Sequence, residues 1–258
     1  MVEQDVSMRS IQDGEAGEQN SNVSRPSVQS TYELIRVAAI KDPELTALEL
    51  LEDLKRSDRD VQLSYRALLN AIHQVANLIG DLGIEPTDVI AVLLPRLLES
   101  HLVLWGGQAA GIVCPISPWF SVEQIIALAQ AAQAKLLVAA GPEVGQELWQ
   151  KAEAVHREVR SITRMLQVRG PGIERDGIYA FDALLADYPA DRLNLGREIA
   201  PDDIAVCIPI REKIRTPGLM SLTHNNLLDA AWALGNVLQL TPTEVLLQGF
   251  LRLIQAWW

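Results

Sequence analysis

D-V-I-A-V-L-L-P, Asp88 to Pro95, is the stretch that decides the fold. The apolar residues Val89 to Leu94 follow one another without alternation and stop at a proline. A strand covered on both faces reads this way, and such strands belong to parallel sheets. The neighbouring residues extend the pattern. Upstream, Leu68, Ile72, Val75, Ala76 and Ile79 recur on one helical face, with Ser64 as a candidate N-cap and Gly83 just past the end. Downstream, a helix from Leu97 to Ala110 precedes a strand from Ile112 to Ile116. Ser121 then opens a helix, and Lys135 to Ala139 reads as a strand. A helix from Gly145 to Val159, a strand from Ile162 to Val168 and a short helix from Phe181 to Tyr188 follow. Apolar strands alternating with amphipathic helices predict an α/β fold of parallel βαβ units.

The flanks are less regular. Residues 1–28 are rich in Ser, Gln, Glu, Asn and Gly, so they bury little and are expected to form a disordered polar tail. Residues 29–258 are expected to form the folded body. Tyr32, Ile35 and Ala39 fit a short helix, Leu45 to Leu51 a strand of weak propensity, and Lys55 to Asp60 a charged loop. Gly170 to Gly177 reads as a loop, and Pro189 to Pro201 as a polar linker before the last block. No internal repeat is visible.

Bulk properties narrow the function. The chain has 258 residues, 48% hydrophobic and 21% charged, as in packed globular proteins. A net charge of -11 and the lack of aromatic–basic interleaving argue against nucleic-acid binding. No run has the length of a transmembrane span and the amino terminus has no secretory pattern, so a cytoplasmic protein is expected. Cys114 and Cys207 lie in apolar runs and read as small buried hydrophobes in a reducing compartment. No spacing supports a metal site. His73, His101 and His156 lie on helices without catalytic partners and read as surface or packing residues.

The segment from Asp203 to Asn226, D-I-A-V-C-I-P-I-R-E-K-I-R-T-P-G-L-M-S-L-T-H-N-N, reads as strand, loop, strand and helix start. It resembles the signature of the AMP-binding, adenylate-forming superfamily. There a D-I-A strand enters a loop of the form T-S/G-G-T-T-G-x-P-K, and a second strand leads to T-H-x-N. Thr216-Pro217 and Thr223-His224-Asn225-Asn226 keep the spacing, whereas Pro209 to Arg215 replace the small residues and Gly218 stands where lysine is expected. Earlier motifs resemble the fatty acyl-CoA synthetase branch: L-S-Y-R-A-L-L from Leu63, G-I-E-P-T-D-V-I-A-V-L-L-P from Gly83, and E-S-H-L-V-L-W-G-G-Q-A-A-G-I-V-C-P-I-S-P from Glu99. The likeness covers residues 31 to 258.

The resemblance implies the N-terminal subdomain of an adenylate-forming enzyme, incomplete, and a family chemistry that uses ATP, Mg and coenzyme A. It also implies later parts, including an adenine-gripping motif, a hinge and a C-terminal domain with a catalytic lysine, that do not follow in this sequence. At the family's P-L-F-H segment the chain has Leu251-Arg252-Leu253-Ile254.

A glycine-rich loop holds triphosphate because its backbone N–H groups approach the oxygens closely. Isoleucines and charged side chains block that approach. The expectation is therefore a truncated, catalytically inactive relative with no catalytic residue and no cofactor of its own. Thr216, Pro217, Gly218, Thr223 and His224 are left as a vestigial nucleotide frame, with a capping or packing role preferred for His224. In an extended segment Arg211, Lys213 and Arg215 share one face. That face reads first as a solvated basic edge and second as cations able to attract phosphate. The apolar residues Phe250, Leu251, Leu253, Ile254, Trp257 and Trp258 point to a protein partner at the C-terminal edge, or to the half of a split ligase.

Overall fold

The computed structural model describes residues 27–50, 61–171, 177–210 and 218–241. Strand β3 (Val89–Leu93) lies inside a seven-stranded sheet. Its neighbours are β4 (Ile112–Pro115) and β5 (Leu136–Ala140), both parallel to it. Beyond β5 come β6 (Arg164–Val168) and β7 (Ile178–Ala180), again parallel. On the other side, β8 (Ile204–Ile210) runs parallel to β4, and β9 (Gly218–Thr223) folds back antiparallel on β8. The order is therefore β7-β6-β5-β3-β4-β8-β9. The parallel arrangement agrees with the sequence, and the antiparallel edge is added to it.

The unbroken apolar run of β3 is explained by its two faces. Ile90 and Val92 point into one core with Leu68, Ile72, Val75 and Leu78 of helix α2 (Tyr65–Asp81), and with Leu102 and Val103 of helix α3 (Leu98–Ala110). Ala91 and Leu93 point into a second core with Ile125 and Leu128 of α4 (Val122–Ala131), and with Trp149, Ala152 and Val155 of α5 (Gln146–Glu158). The side-chain period of two sends neighbouring residues to opposite layers, so neither can be polar. All five residues of β5 are buried for the same reason.

Local signals place the helix ends. The Ser64 hydroxyl accepts from the Ala67 amide at 3.2 Å, and Ser121 shares a reciprocal capping box with Gln124. Gly83 takes φ 77°, and the Ile84 amide reaches back to the Ile79 carbonyl at 3.4 Å, the Schellman ending of α2. Helices α2 and α3 meet closely at Gly106, where a Cβ would stand 2.7 Å from the Val75 side chain.

The flanks differ from the sequence reading in two ways. Val61–Ser64 forms β2, which pairs antiparallel with β1 (Thr46–Leu50), and Ile178–Ala180 forms the edge strand β7. Both are short, four residues in β2 and three in β7. Pro189 to Pro201 is not a free linker. Asn77 of α2 donates to the carbonyls of Pro189 and Arg192 and accepts from the Asn194 amide at 2.7 Å. His73 bonds the Ala190 carbonyl at 2.8 Å and the Tyr32 hydroxyl at 3.0 Å, so it is a packing residue of the interior. The polar composition of this segment reflects polar anchors on the helix rather than freedom from it. Helix α1 (Thr31–Lys41) and the short α6 (Phe181–Leu185) flank α2, and α7 (His224–Val237) follows β9.

Candidate functional site

The β8–β9 hairpin carries the segment singled out in the sequence. Its ladder runs from Ile204 opposite Thr223 to Ile210 opposite Gly218. The intervening residues 211–217, which include Arg211, Lys213, Arg215, Thr216 and Pro217, lie outside the described residues. Gly218 opens β9 and is half-buried. Because β8 is parallel to β4, the loop leaves from the carboxyl edge of the sheet. The strand order also reverses at that edge: the chain passes from β3 to β4 on one side, and then to β5 on the other side of β3. Open α/β sheets collect ligands at such crevices. Trp119, in the turn after β4, is 82% exposed there.

The Thr223 and His224 side chains have structural partners. Thr223 is the N-cap of α7: its Oγ1 accepts from the Asn226 amide at 3.2 Å, and Asn226 Oδ1 accepts from the Thr223 amide at 3.0 Å. The His224 amide donates to the Asp203 carbonyl at 3.1 Å and the Asn225 amide to the Pro201 carbonyl at 2.9 Å. The first three amides of α7 are thus all engaged, although a helix start of this kind would otherwise suit an anion.

His224 is fully buried. The Thr31 amide donates to its Nδ1 at 3.3 Å, so Nδ1 is an acceptor and the neutral ring carries its proton on Nε2. Thr31 Oγ1 lies 3.0 Å from the same nitrogen and donates to Gln108 Oε1 at 2.7 Å. Nε2 has no hydrogen-bond partner among the described residues. Burial and the nearby Arg197 guanidinium push the ring down to about 4, while Asp203 and the Gln108 carbonyl oppose the shift. Burial is the largest cause, so the ring is a neutral latch joining the first turns of α1 and α7. The Thr31 and Gln108 partners were not legible in the sequence, because 193 and 77 positions separate the bonded pairs.

A cavity of about 510 Å³ lies at the opposite, amino-terminal edge of the strands, lined by Thr87, Asp88, Lys135, Arg160 and Thr163. Lys135 Nζ is 2.6 Å from Asp88, so its charge is already paired. No group of three metal-ligating side chains occurs among the described residues. No described helix is long and apolar enough to cross a membrane.

The family model for AMP-binding enzymes matches residues 35–208. The marinolic acid–CoA ligase of Pseudoalteromonas sp. (strain SANK 73390) is 25% identical over 217 residues, covering 84% of this chain and 33% of that protein. Tyrocidine synthase 2 of Brevibacillus parabrevis is 24% identical over 217 residues, 84% of this chain and 5% of that protein. The chain thus spans a third or less of the length of these two curated relatives. A long-chain-fatty-acid–CoA ligase from Archaeoglobus fulgidus shares the fold with a TM-score of 0.70 at 20% identity, over 86% of this chain and 42% of that one. The N-terminal domain of FACL13 from Mycobacterium tuberculosis gives 0.61 at 17%, over 76% and 45%.

Proposed function

The chain belongs to the AMP-binding enzyme family, and from that premise we propose that it is an acyl-CoA-synthetase-like scaffold that does not itself form acyl adenylates. The observation that carries this reading is the contrast within the hairpin. Its β8–β9 ladder and capped helix keep the frame of a nucleotide site, while the segment between the strands has the wrong chemistry. From Pro209 to Gly218 the sequence offers one glycine and one hydroxyl, Gly218 and Thr216, among isoleucines and charges. A triphosphate needs a row of approachable amides and hydroxyls, so this donor set does not fit ATP with its Mg ion. The family match stops at residue 208, next to the altered segment. The engaged amides of α7 support the same reading. Gly218, Thr223 and His224 then serve the fold rather than a nucleotide.

ATP–pyrophosphate exchange tests the proposal. Purified chain with fatty acids of graded length should give no exchange above a heat-inactivated control. Exchange dependent on any of the acids would overturn it.

A second reading is favoured by α7 itself. Leu234 and Val237 of that helix and its C-cap Leu238 are exposed, as is Met220 on β9, and an edge strand unpaired among the described residues beside an apolar helix suits a protein partner. In this reading the chain docks as one half of a split acyl-CoA ligase. Arg211, Lys213 and Arg215 would then face phosphate only in the assembled pair. If R211A/K213A/R215A left nucleotide affinity unchanged in a reconstituted pair, that role for the cations would be abandoned.

A further inference from the structure

The junction of β4 and β8 holds two thiols for which the proposed function has no use. Val113 of β4 and Val206 of β8 are register partners. Cys114 and Cys207 therefore follow side by side, one residue further along both parallel strands. Both side chains enter the core beneath α4 and α5, with exposures of 0% and 5%. Both are free thiols. Adjacent strands lie about 4.8 Å apart. That spacing falls within the roughly 4.4–6.8 Å between Cα atoms that a disulfide spans.

The ladder they flank has the fewest register pairs in the sheet among the described residues. β4 and β8 share a single register pair among the described residues, whereas β5 and β6 share five. A covalent link here would tie the hairpin to the parallel core where hydrogen bonding is sparsest.

We propose that Cys114 and Cys207 are a peroxide-responsive dithiol whose oxidation staples β8 to β4. Cys207 keeps a little exposed surface, 5%, whereas Cys114 keeps none, so Cys207 meets the peroxide first and Cys114 resolves. The neighbouring Cys114 thiol also lowers the Cys207 pKa from its ordinary value, while Cys207 and burial push Cys114 up. The Cys207 sulfur attacks one oxygen of hydrogen peroxide and the O–O bond breaks. The departing hydroxide takes a proton and leaves as water, and Cys207 becomes a sulfenic acid. The Cys114 sulfur then attacks the Cys207 sulfur. The S–O bond breaks, and the leaving hydroxide carries off the Cys114 proton as a second water. Two thiols and one peroxide give one disulfide and two waters. The two electrons lost by the sulfurs reduce the peroxide.

The test uses the full chain, reduced, desalted and titrated with hydrogen peroxide. The free-thiol count is expected to fall from two to none, with loss of the mass of two hydrogens. Non-reducing peptide mapping should join the Cys114 and Cys207 peptides, and dithiothreitol should restore both thiols. In C114S the sulfenic acid on Cys207 should persist long enough for capture by dimedone. In C207S, Cys114 should remain reduced under the same exposure. The proposal is overturned if both thiols survive a dose that oxidises the urea-unfolded chain. It is equally overturned if oxidation proceeds to sulfinic acids without the cross-link, or if the only disulfide formed joins two chains. The wild-type titration decides the matter even if a serine variant fails to fold.

Discussion

The parallel block from β3 to β6 and the terminal hairpin with α7 are built on different physics. In the block, strands are covered on both sides: Ile90, Leu136, Leu137, Val138 and Leu166 have no exposed surface. In the hairpin, β9 is nowhere fully buried and α7 buries only His224 and Leu228. The block is specified many times over by apolar volume. The hairpin end is specified by a few directional contacts: the Thr223 cap, the His224 latch onto Thr31, and the single register pair between β8 and β4. A substitution at the hairpin end therefore acts on a single contact, whereas one in the block acts on a shared core.

The strongest challenge to this contrast is a cavity in the block. Leu137→Ala should lower the unfolding free energy by about 2–5 kcal/mol in a urea titration, with the slope unchanged. A loss near that of a surface substitution would mean that the block is not the stabilising unit.

The next effect concerns pH and the hairpin end. His224 is held down at about 4 in the folded chain, against 6.5 for an exposed histidine. Above 6.5 both folded and unfolded rings are neutral and the stability is fully present. As the pH falls from 6.5 towards 4, the unfolded chain binds the proton and the folded chain does not, so stability declines by about 3 kcal/mol across that window. H224Q should remove this part of the pH dependence. Hydrogen exchange should show α1 and α7 opening before the sheet as the pH drops, and uniform opening would contradict the latch.

Smaller still, Thr223→Ala removes the N-cap of α7 and should cost about 1 kcal/mol, with faster exchange confined to the first turn of that helix. At the bottom of the scale, Met220→Thr on the exposed face of β9 should change stability by less than about 0.5 kcal/mol. A large loss there would show that β9 is covered in solution and would favour the docked reading of this edge.

Where the sequence was legible, local chemistry was strong. The apolar runs of β3 and β5, the caps Ser64 and Ser121, and Gly83 at the end of α2 each act through neighbours within a few residues, so their signals survive in one dimension. The strands β2 and β7 were missed because each is short and lies at an edge, with little burial to leave a pattern. Pro189 to Pro201 looked like a linker because its anchors, His73 and Asn77, are more than a hundred residues away. At the candidate site the sequence showed the frame and the altered loop. It named Thr223 and His224 and pointed to capping or packing for His224, without showing the partner Thr31.

By itself the sequence determined the α/β alternation, the family resemblance around Asp203 to Asn226 and the replacement of that family's small loop residues by Pro209 to Arg215. Those properties depend on side-chain period, turn residues and donor chemistry, which are local. Only the tertiary structure decided that β9 closes the sheet antiparallel, that His224 is a neutral buried latch on Thr31, and that Cys114 and Cys207 are neighbours. The latch and the thiol pair depend on contacts between residues far apart in the chain, and β9 reaches the sheet through its hairpin with β8. No local pattern encodes such contacts, because packing alone brings the partners together.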